Sequence, residues 1–367
     1  MTASDTETRL ASWLEAQLPG ARNVRVDGLG TIDTGHSAET LLASVHWRSD
    51  GVDEHREVVL RLRPPSPGLL EPYDLGRQFA ILRCLEDTPV RAPRALWHDP
   101  SGDVLGREFY VMERLPGTVY EYECDRGDAA TVDANDPSIR PRCEGVVDQL
   151  AAIHSVDVEA FGLNKIGSGD AYLERELGHW ISEIERVKRG PLPALEHLAA
   201  ALQAQQPEPC PRITLVHGDP KVGNFAFVGT EVTAVFDWEM ATIGDPLADI
   251  GWLEVLWDIP GLFTSHPAAP SVEEFVGRWE AATGIEAKNR PWYRAFQGFK
   301  MAVIQLVGGH LFDAGHTDDL RFFDMSYAVR PMTQAALAEL GINEAFEAGP
   351  VVPRKERALE VRARLGL

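Results

Sequence analysis

The chain has 367 residues, 44% of them hydrophobic and 25% charged, which excludes a disordered or fibrous protein and allows one large domain or two ordinary ones. Its 35 basic residues against 56 acidic ones leave a net charge of −21, which weighs against a nucleic-acid partner and an anionic membrane surface, since both select for clustered Lys and Arg. Four cysteines without a CxxC pair, a polar and acidic start, and no apolar run long enough to span a bilayer predict a cytoplasmic protein with reduced thiols.

In chain order, Leu10, Trp13, Leu14 and Leu18 recur at helical spacing and predict a leading helix over 5–18, stopped by Pro19-Gly20. Strand-like runs at 40–47 and 57–63 flank the turn Ser49-Asp50-Gly51 and read as a hairpin. A helix is expected over 73–85, then strands over 94–98 and 107–114. Composition changes at Leu115-Pro116-Gly117, and 121–142 is acidic and turn-rich, a connector with a short helix at most. Beyond it the pattern is helical at 146–154, 171–187 and 192–204, interrupted by short strands at 213–216, 224–228 and 232–236. The expected division is therefore 1–114, a hinge and connector over 115–142, and 143–367, with chemistry in the cleft between the two lobes.

The embedded strands carry the informative residues. Leu215-Val216 leads into the break His217-Gly218-Asp219; Asn224 opens the next strand, and Thr233 to Phe236 ends at Asp237-Trp238-Glu239. A hairpin would gather Asp219, Asn224 and Asp237 at one edge, three short oxygen-bearing side chains. Phosphoryl transfer needs such a set: a carboxylate to accept a hydroxyl proton, and hard oxygens to hold Mg²⁺ on nucleotide phosphates.

His217-Gly-Asp219-x4-Asn224 followed by Asp237-Trp-Glu239 resembles the catalytic and metal-binding loops of the aminoglycoside phosphotransferase family. Tyr110 to Gly117 resembles that family's inter-lobe hinge, and Gly244 to Ile250 the helix start after its metal loop. Within the family, the chain is most similar to the branch also found fused to acyl-CoA dehydrogenases. The resemblance implies an α+β, bilobal, protein-kinase-like fold: a small antiparallel β lobe with one helix, and a larger, mainly helical lobe carrying an embedded β-hairpin. It implies a transferase using ATP and Mg²⁺ on a hydroxyl of a small molecule, either an aminoglycoside-like cation or a hydroxyacyl compound. Asp219 would be the general base, Asn224 and Asp237 the Mg²⁺ ligands, and Asp249 a brace for the loop backbone. Gly35 and Ser37 would lie in the phosphate loop, Arg61 on the phosphates, and the backbones of Glu113 and Leu115 against adenine.

Alternatives stand beside these readings. Arg63 shares a sheet face with Arg61 and is a second candidate for phosphate. The helix expected to offer Arg61 a glutamate has Gln78 there, with Asp74 one turn earlier as a substitute. That departure, and a phosphate loop without GxGxxG, leave open a nucleotide-binding pseudokinase without turnover; a metallophosphoesterase built on His217, Asp219, Asp237 and His310 is disfavoured. His217 reads as a turn anchor, His154 as a core residue, and Asp245-Pro246 as a helix start. Lys300, inside an apolar helix, reads as a snorkelling side chain, with a substrate contact as the alternative. Asp313, Asp318, Asp319 and Asp324 read as a solvated face.

Overall fold

Leu10 and Leu14 lie one helical turn apart, and in the structure, a computed structural model describing residues 3–32, 39–120, 135–344, 346 and 354–366, both are fully buried on the inner side of helix α1 (Ala3–Gln17). Strands β1 (Arg22–Ile32), β2 (Glu39–Ser49) and β3 (Val52–Leu62) follow, antiparallel in succession. Asp50 and Gly51 both have positive φ, 47° and 82°. Two left-handed residues give a turn whose twist matches the strands, which pairs Ser49 with Val52 and fixes the register of everything after them. Helix α2 (Leu75–Leu85) precedes β4 (Ala95–Asp99) and β5 (Phe109–Glu113), completing a five-stranded sheet in the order β1-β2-β3-β5-β4. Period-2 alternation puts Val58, Leu60 and Leu62 of β3 on the inner face with Val26, Val45, Phe109 and Val111, under α1. The sequence reading assigns no element to 22–32. Gly28 and Gly30 interrupt the alternation there, and the register shifts twice along β1, so period 2 is absent where it would be sought.

Strand β6 (Thr118–Val119) leads to α3 (Ile139–His154), which starts within the stretch read as connector. Next come α4 (Tyr172–Val187), α5 (Pro193–Ala204), β7 (Thr214–Val216), β8 (Phe225–Val228), β9 (Glu231–Val235) and β10 (Thr242–Gly244). Five helices follow: α6 (Leu247–Trp257), α7 (Val272–Thr283), α8 (Arg290–Ala314), α9 (Leu320–Glu339) and α10 (Lys355–Leu365). β7 pairs with β10, and β6, β8 and β9 form a three-stranded sheet. Contacts divide the chain into two compact units. The first is 1–118 with 226–228 and 232–239; the second is 119–225 with 229–231 and 240–367.

The second unit is built around α8, whose apolar residues Phe296, Phe299, Val303 and Val307 are all fully buried. A helix apolar on most sides needs neighbours on most sides; α4, α5, α6 and α9 supply them. The acidic residues from the end of α8 onward are not simply a solvated face. Asp313 is 9% exposed and accepts from Arg189 and from the Arg354 amide, while Asp318 pairs with Arg357 and Arg364 of α10. They hold the C-terminal helix in place, a partnership invisible until the chain folds back.

Candidate functional site

In the second unit, β7 ends at Val216 and the chain turns sharply through His217 and Gly218. Gly218 has φ +85°, and a β-carbon there would lie 2.4 Å from the Met240 carbonyl oxygen. Backbone cannot retreat as a side chain can, so only glycine fits this turn. The Asp249 carboxylate, in the first turn of α6, accepts the His217 amide at 2.7 Å and the Gly218 amide at 2.8 Å. Its third partner is His154 Nε2, at 3.0 Å. Trp279 donates to His154 Nδ1 at 2.9 Å, so that nitrogen accepts and Nε2 carries the proton. Burial pushes the Asp249 carboxyl up, but the bonds from His154 and the His217 amide outweigh it and hold the group below the usual range. His154 is thus a fully satisfied core residue.

Asp219 follows this braced turn. Its amide donates to His217 Nδ1 at 3.3 Å, so His217 anchors backbone. Asn224, reached through a short 3₁₀ turn at 222–224, donates its Nδ2 to the Asp219 carbonyl at 2.8 Å and to Asp219 Oδ2 at 3.1 Å. With the amide nitrogen committed, Oδ1 is the atom Asn224 can offer a cation. Lys221 Nζ stands 3.8 Å from Asp219 Oδ2. Lys300 does not snorkel: it is 3% exposed, and its Nζ donates to the Gly218 carbonyl at 3.1 Å, beside the Trp252 and Trp180 rings. Helix α8 is enclosed at that point, so its side chain has no short path to water.

In the first unit, Asp237 follows β9 with φ +64°, a left-handed conformation that a non-glycine residue adopts only when its surroundings hold it there. Arg61 of β3 donates from Nη2 to Asp237 Oδ1 at 2.8 Å and lies 3.6 Å from Glu239 Oε2; its Nη1 donates to Thr40 at 3.1 Å. Burial pulls the guanidinium's pKa down, but Asp237, Tyr110 and Glu239 more than restore it, so Arg61 stays charged. Tyr110, whose hydroxyl donates to Gln78 Oε1 at 3.3 Å, is pushed up to about 12, chiefly by burial. Asp74 is not Arg61's partner. It caps α2, accepting from the Arg77 amide at 2.8 Å. The carboxylates beside Arg61 are Asp237 and Glu239, and Glu239 in this role went unrecognised in the sequence. Its signal is position alone, two residues beyond Asp237. Arg63 is occupied by Glu108 and by the Tyr73 carbonyl.

Glu113 closes β5, its amide donating to the Arg94 carbonyl at 3.0 Å, and Leu115 lies in the irregular stretch after it. Gly35 and Ser37 lie outside the described residues. Asp245 does more than start a helix. It is fully buried and accepts from the Leu247 and Cys210 amides and from the Tyr293 hydroxyl at 2.7 Å.

Residues 45–296 match the model of the phosphotransferase enzyme family. Mouse acyl-CoA dehydrogenase family member 10 is 30% identical over 68% of this chain, and human acyl-CoA dehydrogenase family member 11 is 26% identical over 76%. The chain spans only 24% and 36% of those proteins' lengths. Among solved structures, a Ralstonia eutropha protein assigned as an aminoglycoside phosphotransferase superposes with a TM-score of 0.70 at 23% identity, covering 91% of this chain and 98% of its own. Aminoglycoside phosphotransferase APH(4)-Ia, solved with ADP and hygromycin B, gives 0.55 at 14% identity over 92% and 99%. These likenesses establish the α+β, kinase-like fold. With the family model covering more than half of the chain, this protein belongs to the phosphotransferase enzyme family.

Proposed function

We propose that this chain moves the γ-phosphoryl group of ATP, taken up with Mg²⁺, onto a hydroxyl of a small molecule. The observation that carries the reading is the Asp219 turn, braced by Asp249 through two backbone amides and tied to Asn224. A loop so restrained presents its carboxylate in one orientation, as a general base requires. Asp219 takes the acceptor's proton as its oxygen attacks the γ-phosphorus and ADP departs. Asn224 Oδ1 and the Asp237 carboxylate are hard oxygen donors suited to Mg²⁺. That ion would screen the phosphate charge. Asp237 already holds one cation, the Arg61 guanidinium. Arg61 offers a fixed fork of donors to phosphate oxygens once it releases Asp237. Gly35 and Ser37 would supply phosphate-loop contacts, and the backbones of Glu113 and Leu115 would meet adenine. Residues 1–114 then form the nucleotide-binding lobe, 115–142 a hinge and connector, and 143–367 the acceptor side, in a cytoplasmic enzyme.

The test is a Mg-ATP phosphorylation screen over hydroxyacyl-CoAs, aminoglycosides and small alcohols. Asp219→Ala should lower kcat by about 10²–10⁴; activity retained without that carboxylate refutes the assignment. Asp237→Ala should chiefly weaken metal-dependent nucleotide binding, read by calorimetry with and without Mg²⁺. A second reading, a nucleotide-binding protein without turnover, draws on Gln78 standing where a carboxylate is expected. It predicts a melting-temperature rise with Mg-ATP and no product from any acceptor.

A further inference from the structure

Lys300 sits at the middle of α8, one of the most enclosed places in the second unit, and a buried ammonium is costly unless its surroundings compensate it. Here they do. The Nζ donates to the Gly218 carbonyl at 3.1 Å and lies 5.1 Å and 5.7 Å from the centres of the Trp252 and Trp180 rings. The carboxylates of Asp219, Asp249 and Glu176 all act on it favourably. The bonded carbonyl belongs to the peptide whose N–H is that of Asp219, and that N–H donates to His217 Nδ1. One peptide unit, immediately before Asp219, is therefore held at both of its polar atoms, from α8 on one side and from the loop's own histidine on the other.

We infer that Lys300 is a positioning residue of the Asp219 loop, pinning the 218–219 peptide and setting a positive charge near the Asp219 carboxylate and its brace, Asp249. The inference rests on the reading of Asp219 as the base and adds a requirement to it. Lys300 at 3% exposure has almost no surface to offer an acceptor, so its effect passes through Asp219.

Lys300→Met removes the charge and the bond while keeping the apolar stem. Hydrogen exchange at the Gly218 and Asp219 amides should accelerate by about tenfold or more, with α8 amides still protected. In a transfer assay kcat should fall by about a hundredfold, with KM for ATP and acceptor within about twofold, because a slightly misplaced base costs rate rather than binding. Lys300→Arg, which keeps the charge, should recover part of the rate. Should Lys300→Met not fold, the unsubstituted chain provides the same reading through pH. Burial lowers the Lys300 pKa against Glu176 on α4, Asp249 on α6 and Asp219. Turnover should therefore fall at alkaline pH before the ordinary lysine range, about 10.4, is reached.

A folded Lys300→Met protein with unchanged loop exchange overturns the inference, as does a raised acceptor KM with kcat intact. A kcat flat beyond pH about 10.5 in the unsubstituted chain does the same. If that chain transfers no phosphate at all, the proposed function fails, and the exchange measurement still decides the role of Lys300.

Discussion

Asp249 shows how much one carboxylate can organise. Two backbone amides and His154 converge on it inside the protein at 1% exposure. Asp249→Asn keeps the shape but removes the charge and turns one acceptor into a donor facing other donors. Denaturant unfolding at pH 7 should show a loss of about 1–3 kcal/mol, the range for leaving a buried donor without its acceptor. The sign with pH follows from its depressed pKa: the stability is fully present above the ordinary Asp value of 3.8 and is lost as pH falls through the lower folded value. The gap between the two proteins should therefore close in strong acid. At this scale the tie of Asn224 to Asp219 belongs to one short turn that the sequence displays, and the bracing of that turn by Asp249 is what the family resemblance implies. Arg61's partners were not legible in the sequence. Asp237 lies 176 residues along the chain from Arg61, and no local pattern encodes a pairing over that separation.

Elements were readable wherever periodicity was clean. The β2–β3 hairpin and α2 announce themselves by alternation or helical spacing, while β1 hides behind its glycines and shifts of register. Asp74 illustrates a residue whose role belongs to its element rather than to the site. As the N-cap of α2 it satisfies the Arg77 amide, and Asp74→Ala should cost about 1 kcal/mol, measured as a shift in thermal midpoint. Because Arg61 is paired with Asp237 and Glu239 instead, the same substitution should leave the KM for nucleotide unchanged. A nucleotide defect larger than the loss of stability would return Asp74 to the Arg61 network. Lys300 belongs to this scale too. An apolar helix with one lysine reads as snorkelling only if the helix is near the surface, and enclosure is a tertiary fact that its sequence does not contain.

For the whole molecule, the sequence conveyed the alternation of a β-rich part with a helical part, but not how the chain is shared between them. The first unit takes the strand segments 226–228 and 232–239 from deep within the helical half of the sequence. Their attachments are specific: Val235 donates its amide to the Arg91 carbonyl at 2.7 Å, and Thr233 donates to the Pro116 carbonyl at 2.6 Å. A fragment ending at residue 118 would leave these acceptors and the surface around Gly117 uncovered. It should unfold at lower denaturant than the intact first unit and bind no nucleotide. Adding a peptide of residues 222–240 should raise its midpoint, and a fragment already as stable as the full chain would contradict this.

The same division of the chain has a consequence during synthesis. A ribosome delivers residues in order, and roughly a hundred of them, the whole run from α3 through β7, emerge between β6 and the strand that completes the first unit. At translation rates of about 5–20 residues per second the nascent sheet waits on the order of ten seconds for that strand. Throughout the wait its last carbonyls stand open to chaperones or to another nascent copy.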